Sequence, residues 1–213
     1  MHIHAINASK PVKINFNHEE VVTGIFKSPL EGEIQITKLG VAGDTIADQT
    51  VHGGLDQAIY LYHQEDYDWW SKQLGKPLAP GTFGENLTLS GLDDIDWVIG
   101  DRLKIGDLIL EITAPRTPCF KLAVRMGDSR FVKQFVQAAR PGAYARVIAE
   151  GTVKVGDVVE IEKTAMDYAS VKDVFIEWHR KDMSVSLVKK ALNSPIASMH
   201  RAKLQDWLNS LDN

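Results

Sequence analysis

The sequence predicts a mainly β (α+β) fold: a closed or strongly curved, barrel-like sheet with a few peripheral helices and a C-terminal three-helix extension. Three observations predict it. Short β-branched or alternating runs, each punctuated by glycine, recur through the first 163 residues. Only two segments within that stretch carry a helical period. From about Thr164 the strand signals stop and three short amphipathic patterns follow. The boundary is therefore set at 163, with a β-barrel core over 1–163 and the extension over 164–213.

Each element has its own reason. Strands are expected at Ile34–Leu39, Ala58–Tyr62, Asn86–Leu89 and Ala145–Ile148. Two further segments read almost alike, Lys104–Ile112 and Lys154–Glu162, each placing a Gly-Asp turn before a β-branched run. Their likeness is too short to mark a duplicated domain. Glu65–Leu74 is read as a helix that stops at Gly75 and carries Trp69 and Trp70. Ser129–Arg140 is the second, started on Asp128 and ended by Pro141-Gly142, with Val132, Phe135, Val136 and Ala139 on its inner face. In the extension, Val171, Val174, Phe175 and Trp178 form one stripe. Ser184 opens the next helix, with Leu187, Val188, Ala191 and Leu192 inward. Ser194-Pro195 is read as the N-cap of the third helix, which runs on through Leu204, Trp207, Leu208 and Leu211.

Composition narrows the function classes. With 213 residues, 44% hydrophobic and 24% charged, the chain suits one good-sized core plus an appendage. A net charge of −4 argues against nucleic-acid binding driven by bulk charge, and the basic residues of the extension are nearly balanced by acidic ones. The extension is read as a packing or docking module. No apolar run approaches the length of a membrane span, and the N-terminus lacks the basic start and apolar core of a signal peptide. With one cysteine as well, a reducing cytoplasm is the expected compartment.

That cysteine, Cys119, sits in Pro115-Arg116-Thr117-Pro118-Cys119-Phe120-Lys121. A lone thiol cannot form an internal disulfide or a multi-cysteine zinc site. Its possible jobs are nucleophile, sulfur carrier or single thiolate ligand to a soft metal. The plain alternative is a small apolar side chain in the core. Gly53 and Gly54 follow His52 and precede a strand, which lets backbone N–H groups approach an anion; an ordinary turn with a surface histidine reads equally well. Asn86 and Thr88 share a strand face, either for ligand contact or toward solvent, and Tyr144 and Arg146 share another. Lys27-Ser28-Pro29 is by itself only a charged turn. His2 and His4 are terminal, and His18, His63, His179 and His200 lack partners at zinc-ligand spacing. There is no Gly-x-Ser-x-Gly elbow.

The ordered set Gly24-Ile25-Phe26-Lys27-Ser28-Pro29, Val51-His52-Gly53-Gly54, Phe83-Gly84-Glu85-Asn86-Leu87-Thr88, Pro115-Arg116-Thr117-Pro118-Cys119 and Gly142-Ala143-Tyr144-Ala145-Arg146-Val147 resembles the MOSC family, named for the C-terminal domain of molybdenum cofactor sulfurases. The helical tail widens the likeness to the YiiM-like bacterial branch, which carries a three-helix extension. The resemblance implies a MOSC-type β-barrel that binds the molybdenum cofactor (Mo-molybdopterin), with Cys119 as metal ligand and catalytic thiolate. It implies that Lys27, Ser28, His52, Gly53, Gly54, Asn86, Arg116, Thr117 and Tyr144 hold the pterin and its phosphate; strand geometry adds Arg146. Gln57 departs from relatives that carry lysine there. The implied reaction is reduction of N-hydroxylated compounds, such as 6-hydroxylaminopurine, to amines, with electrons from a separate reductase. A homodimer is a further expectation from the family. A cofactor carrier, a sulfur-transfer module and a non-catalytic scaffold remain open beside the enzyme.

Overall fold

Apolar alternation builds the sheet. In the computed structural model, which describes residues 1–45, 54–91 and 96–211, the strands are β1 (His2–Ala8), β2 (Val12–Phe16), β3 (Glu19–Thr23), β4 (Ser28–Pro29), β5 (Ile34–Thr37), β6 (Gly40–Val41), β7 (Ile59–His63), β8 (Leu87–Ser90), β9 (Arg102–Ile105), β10 (Leu108–Pro115), β11 (Ala143–Ala149), β12 (Gly151–Val153) and β13 (Glu160–Glu162). Eight of them form a curled half-barrel in the order β13-β9-β10-β11-β7-β8-β1-β4. All its pairs are antiparallel except β7 with β8, where Leu61 faces Leu87 in a parallel register. A parallel pair needs a long crossover, and helix α1 (Gln64–Leu74) supplies it. The N-terminal residues also bind the segment that leads into β13. Ile3 N–H donates to Asp157 O at 3.0 Å, Gly156 N–H to Ile3 O at 2.9 Å and Val159 N–H to Met1 O at 3.0 Å. The two ends of the curled sheet are thereby tied together.

Strand β7 shows how one sequence pattern makes two cores. Ile59 and Leu61 point into the barrel among Ile3, Ile6, Leu87, Leu89, Leu110, Ile112 and Ala145. Tyr60 and Tyr62 point to the other face, among Tyr67, Trp70, Phe83, Phe131, Phe135 and Phe175. Both faces are buried, so the alternation is aliphatic against aromatic rather than apolar against polar. The aromatic layer is roofed by α1, α2 (Phe120–Met126) and α3 (Phe131–Ala138).

The Gly-Asp echo is no structural repeat, in keeping with its shortness. Gly106-Asp107 closes the β9–β10 hairpin, whereas β12 pairs with β5 and β13 pairs with β9, so Gly156-Asp157 joins strands of different sheets. Helix α2 was not expected, and α3 is shorter than Ser129–Arg140, ending where Ala139 turns left-handed (φ 49°). Ser194 does not start the last helix: its hydroxyl donates to Ala191 O at 2.6 Å, closing the preceding turn. The helices of the extension are α4 (Val171–Trp178), α5 (Val185–Leu192) and α6 (Ser198–Asn209). The expected caps at Gly75 (φ 65°) and Ser184 are present.

The extension shares the barrel's interior. Val171, Val174, Val188, Ala191, Ile196 and Leu204 join the aliphatic core, and Phe175 joins the aromatic layer. Within it His200 is fully buried against Trp178, 4.7 Å between ring centroids, with neither ring nitrogen partnered among the described residues. Burial, aided by the Lys203 charge, lowers its pKa to about 4. The unfolded chain therefore binds this proton more readily than the folded one. The stability it contributes is complete above pH about 6.5 and is lost as pH falls toward 4, by at most about 1.4 kcal/mol per pH unit. Denaturant unfolding at several pH values in that window should show the decline, and His200→Leu should flatten it.

Candidate functional site

Cys119 is placed by the end of a strand and the start of a helix. Strand β10 stops at Pro115, Pro118 biases Thr117 toward extended backbone, and helical geometry begins after Cys119. Cys119 is the N-cap of α2 in extended conformation (φ −128°, ψ 177°), and its side chain is half-buried. Gly127, in the left-handed region (φ 67°), ends the helix.

Arg116 lies beneath the same turn with only 5% of its surface exposed. Its guanidinium sits 5.7 Å from the Tyr60 ring centroid and 5.3 Å from that of Phe135. Among the described residues it forms no ion pair with a carboxylate, and its Nη1 has no hydrogen-bond partner. A buried, uncompensated cation is costly, and a donor left unused makes it more so. Tyr144 completes this group. It is half-buried, 5.3 Å from Tyr60 ring to ring, with its hydroxyl beside Arg116 and Cys119. Burial pushes the Tyr144 hydroxyl pKa up, while the Arg116 charge pulls it the other way. Thr117 is half-buried in the turn between them.

Tyr60 joins this group to a second. Its backbone N–H donates to Asn86 Oδ1 at 3.1 Å, and Asn86 Nδ2 donates to Asp44 Oδ2 at 2.8 Å. Asp44 also pairs with the buried Lys27 and accepts from Ser9 N–H at 2.8 Å. Burial lowers the Lys27 pKa, against the attraction of Asp44. The charge of Lys27 is therefore already countered inside the protein, whereas that of Arg116 meets no carboxylate among the described residues. Glu85, fully buried, accepts at Oε1 from Tyr67 OH (2.7 Å), Gly81 N–H (2.6 Å) and Thr88 OH (2.8 Å), while its Oε2 has no partner among the described residues. Burial raises its carboxyl pKa.

The structure brings Cys119, Arg116, Thr117, Tyr144, Asn86 and Lys27 together through Tyr60. Two expected residues, Arg146 and Thr88, differ. Arg146 is not part of the cluster: its guanidinium pairs with Asp56 at 2.9 Å and Glu111 at 3.4 Å and donates to Pro195 O at 2.9 Å, which fastens the extension to the barrel. It shares the Tyr144 strand face, but its length carries the charge to those two carboxylates. Thr88 faces neither ligand nor solvent, being spent on Glu85 and on Asn7 Nδ2 at 3.1 Å. Ser28 is exposed on β4, where it faces Ala8. Gly54 opens a single 3₁₀ turn, Leu55–Gln57, with φ 74°, and Gln57 is buried. His52 and Gly53 lie outside the described residues.

Asp44, Tyr60 and Glu85 were missed from the sequence. For Glu85 there was a signal, a charged residue between Gly84 and the apolar strand β8. Asp44 offered none, because its partner Lys27 is seventeen positions away. No group of three or more His, Cys, Asp or Glu that could hold a metal by itself occurs among the described residues, and no helix there is long and apolar enough to cross a membrane.

Comparison with known proteins gives a consistent answer. The family model of the MOSC domain matches residues 48–160. Protein YiiM of Escherichia coli strain K12 is 31% identical over 171 residues, covering 78% of this chain and 76% of YiiM. A protein named reductase from Gibberella moniliformis is 30% identical over 184 residues, which cover 84% of this chain but 33% of that protein. The crystal structure of YiiM from Geobacillus stearothermophilus matches with a TM-score of 0.80 at 26% identity, covering 97% of this chain and 98% of that one.

Proposed function

Since the chain belongs to the MOSC domain family, we propose that it binds the molybdenum cofactor at Cys119 and reduces N-hydroxylated compounds such as 6-hydroxylaminopurine to amines. One observation carries the reading: a buried guanidinium whose Nη1 has no partner among the described residues, that of Arg116, shares the neighbourhood of Tyr144 with the single thiol of the chain. An anionic group that brings a soft metal answers both. Thiolate is a soft ligand, and a metal centre holds it deprotonated.

The residues divide the work. Cys119 would hold the metal. Arg116, with Tyr144 and Thr117, would hold the pterin edge or its phosphate. Lys27, Ser28 and Asn86, together with Gly54 and the neighbouring His52 and Gly53, would complete the cradle. When bound, the molybdenum centre supplies two-electron chemistry. The net reaction takes R–NHOH, two electrons and two protons to R–NH2 and water. Arg116 orients the anion. Tyr144 keeps its proton at neutral pH and acts as a hydrogen-bond donor. The aromatic layer behind them, from Tyr60 to Phe135, keeps water from the back of the site. One cysteine cannot ligate an iron–sulfur cluster, and the electron source in this proposal is a separate reductase.

The test is expression in a host that makes the cofactor, followed by molybdenum analysis and a steady-state assay with a reduced dye and 6-hydroxylaminopurine. Near-stoichiometric metal with turnover is expected. Stoichiometric metal without turnover would assign a cofactor carrier or sulfur-transfer role instead, and protein free of metal would overturn the proposal.

A further inference from the structure

Strands β2 and β3 pair with each other and, among the described residues, with no other strand. The hairpin is turned by Asn17 (φ 51°) and His18 (φ 66°), two consecutive left-handed residues as in a type I′ turn. That turn fixes the tip, and Phe16, the last residue of β2, stacks on Phe120 with ring centroids 4.1 Å apart and planes 22° apart. Phe120 immediately follows Cys119 and is the first residue of α2. Toward the other end of α2, the Arg125 guanidinium lies 5.1 Å from the Phe26 ring centroid. The segment from 16 to 26 thus touches the helix at both ends, with its aromatic tip at the residue after the thiol. Both phenylalanines are only half-buried, so ring surface remains accessible.

A hairpin that needed only an anchor could use any bulky aliphatic side chain. A stacked pair that includes the residue directly after Cys119 offers something more, a flat π surface on which a planar ring can lie. We propose that Phe16, braced by Phe120, is a specificity-determining residue: the pair is an aromatic wall at the mouth of the Cys119 site that takes planar heteroaromatic substrates and disfavours aliphatic ones. This rests on the reading of Cys119 as the reaction centre, but stacking of a ring requires no redox chemistry, so the two ideas fail separately.

The experiment titrates the cofactor-loaded protein with the fluorescent base 2-aminopurine, comparing wild type, Phe16→Leu and Phe16→Trp. Leucine keeps apolar burial without the ring, and tryptophan keeps the ring. Affinity should fall about tenfold in Phe16→Leu and be retained in Phe16→Trp, with unchanged circular dichroism and Tm in both. In turnover, the ratio of kcat/KM for 6-hydroxylaminopurine over N-methylhydroxylamine should fall by the same factor in Phe16→Leu alone. Equal affinity in wild type and Phe16→Leu would reduce Phe16 to a hydrophobic latch and overturn the wall, as would equal loss in both variants or no binding by wild type. The binding pattern without turnover of either substrate would leave the wall standing and remove the proposed reaction.

Discussion

Replacing Cys119 with serine is expected to bring bound molybdenum and turnover to background while the melting temperature stays where it was. Loss of an outer-shell partner of a metal ligand already costs about 10–100-fold in affinity, and loss of the only thiolate should exceed that. The fold should tolerate the change because the side chain is half-buried at a helix N-cap, where serine is a favoured residue. The measurement is elemental analysis of both proteins from the same cofactor-producing host, beside thermal unfolding. Metal retained in Cys119→Ser would remove the sulfur from the coordination scheme. A large drop in Tm would make Cys119 a packing residue instead.

The complementary result is expected at Phe83, where stability falls steeply. Its ring is fully buried and meets Tyr62 at 4.6 Å, Tyr67 at 5.1 Å, Trp70 at 5.9 Å, Phe135 at 6.0 Å and Phe131 at 6.3 Å between centroids. Phe83→Ala removes the hub of the aromatic layer and leaves a cavity, at a cost of about 3–5 kcal/mol. In a chain of this size that corresponds to a fall in Tm on the order of 10 °C, readable by calorimetry. Because Phe135 supports the Arg116 guanidinium, metal retention should fall as well. A change under about 1 kcal/mol would mean that the layer collapses to fill the gap.

These two sites differ in how far the sequence disclosed them. Cys119 and its Pro-Arg-Thr-Pro approach were legible as a candidate because a single thiol directly after two closely spaced prolines is rare local chemistry. Tyr144 and Asn86 were legible as polar positions on short strands, and the resemblance to a known family supplied their company. Arg146 was misplaced because strand alternation fixes the face of a residue but not which charges its side chain reaches. The same limit hid Asp44, which meets Lys27 only after the chain has folded. Helix α2 was hidden for a different reason: its seven residues, Phe120–Met126, are too few for a clear period and follow a proline-rich turn. The two-sided burial of β7 explains why Tyr60 and Tyr62 read as ordinary strand aromatics although they join the site to the barrel.

The tie between the first and last parts of the barrel has a bearing on how the molecule comes into being. Ile3 is made well before its backbone partners at Gly156 and Asp157, which follow some 150 positions later, and β8 stands between them in sequence. Pairings between such distant segments are slow, because the intervening chain must first be confined. During synthesis β1 waits with these groups unsatisfied until residues 156–159 have left the ribosome. Strand β1 is thus completed long after it is made, and its waiting edge is where misassembly has its best opportunity.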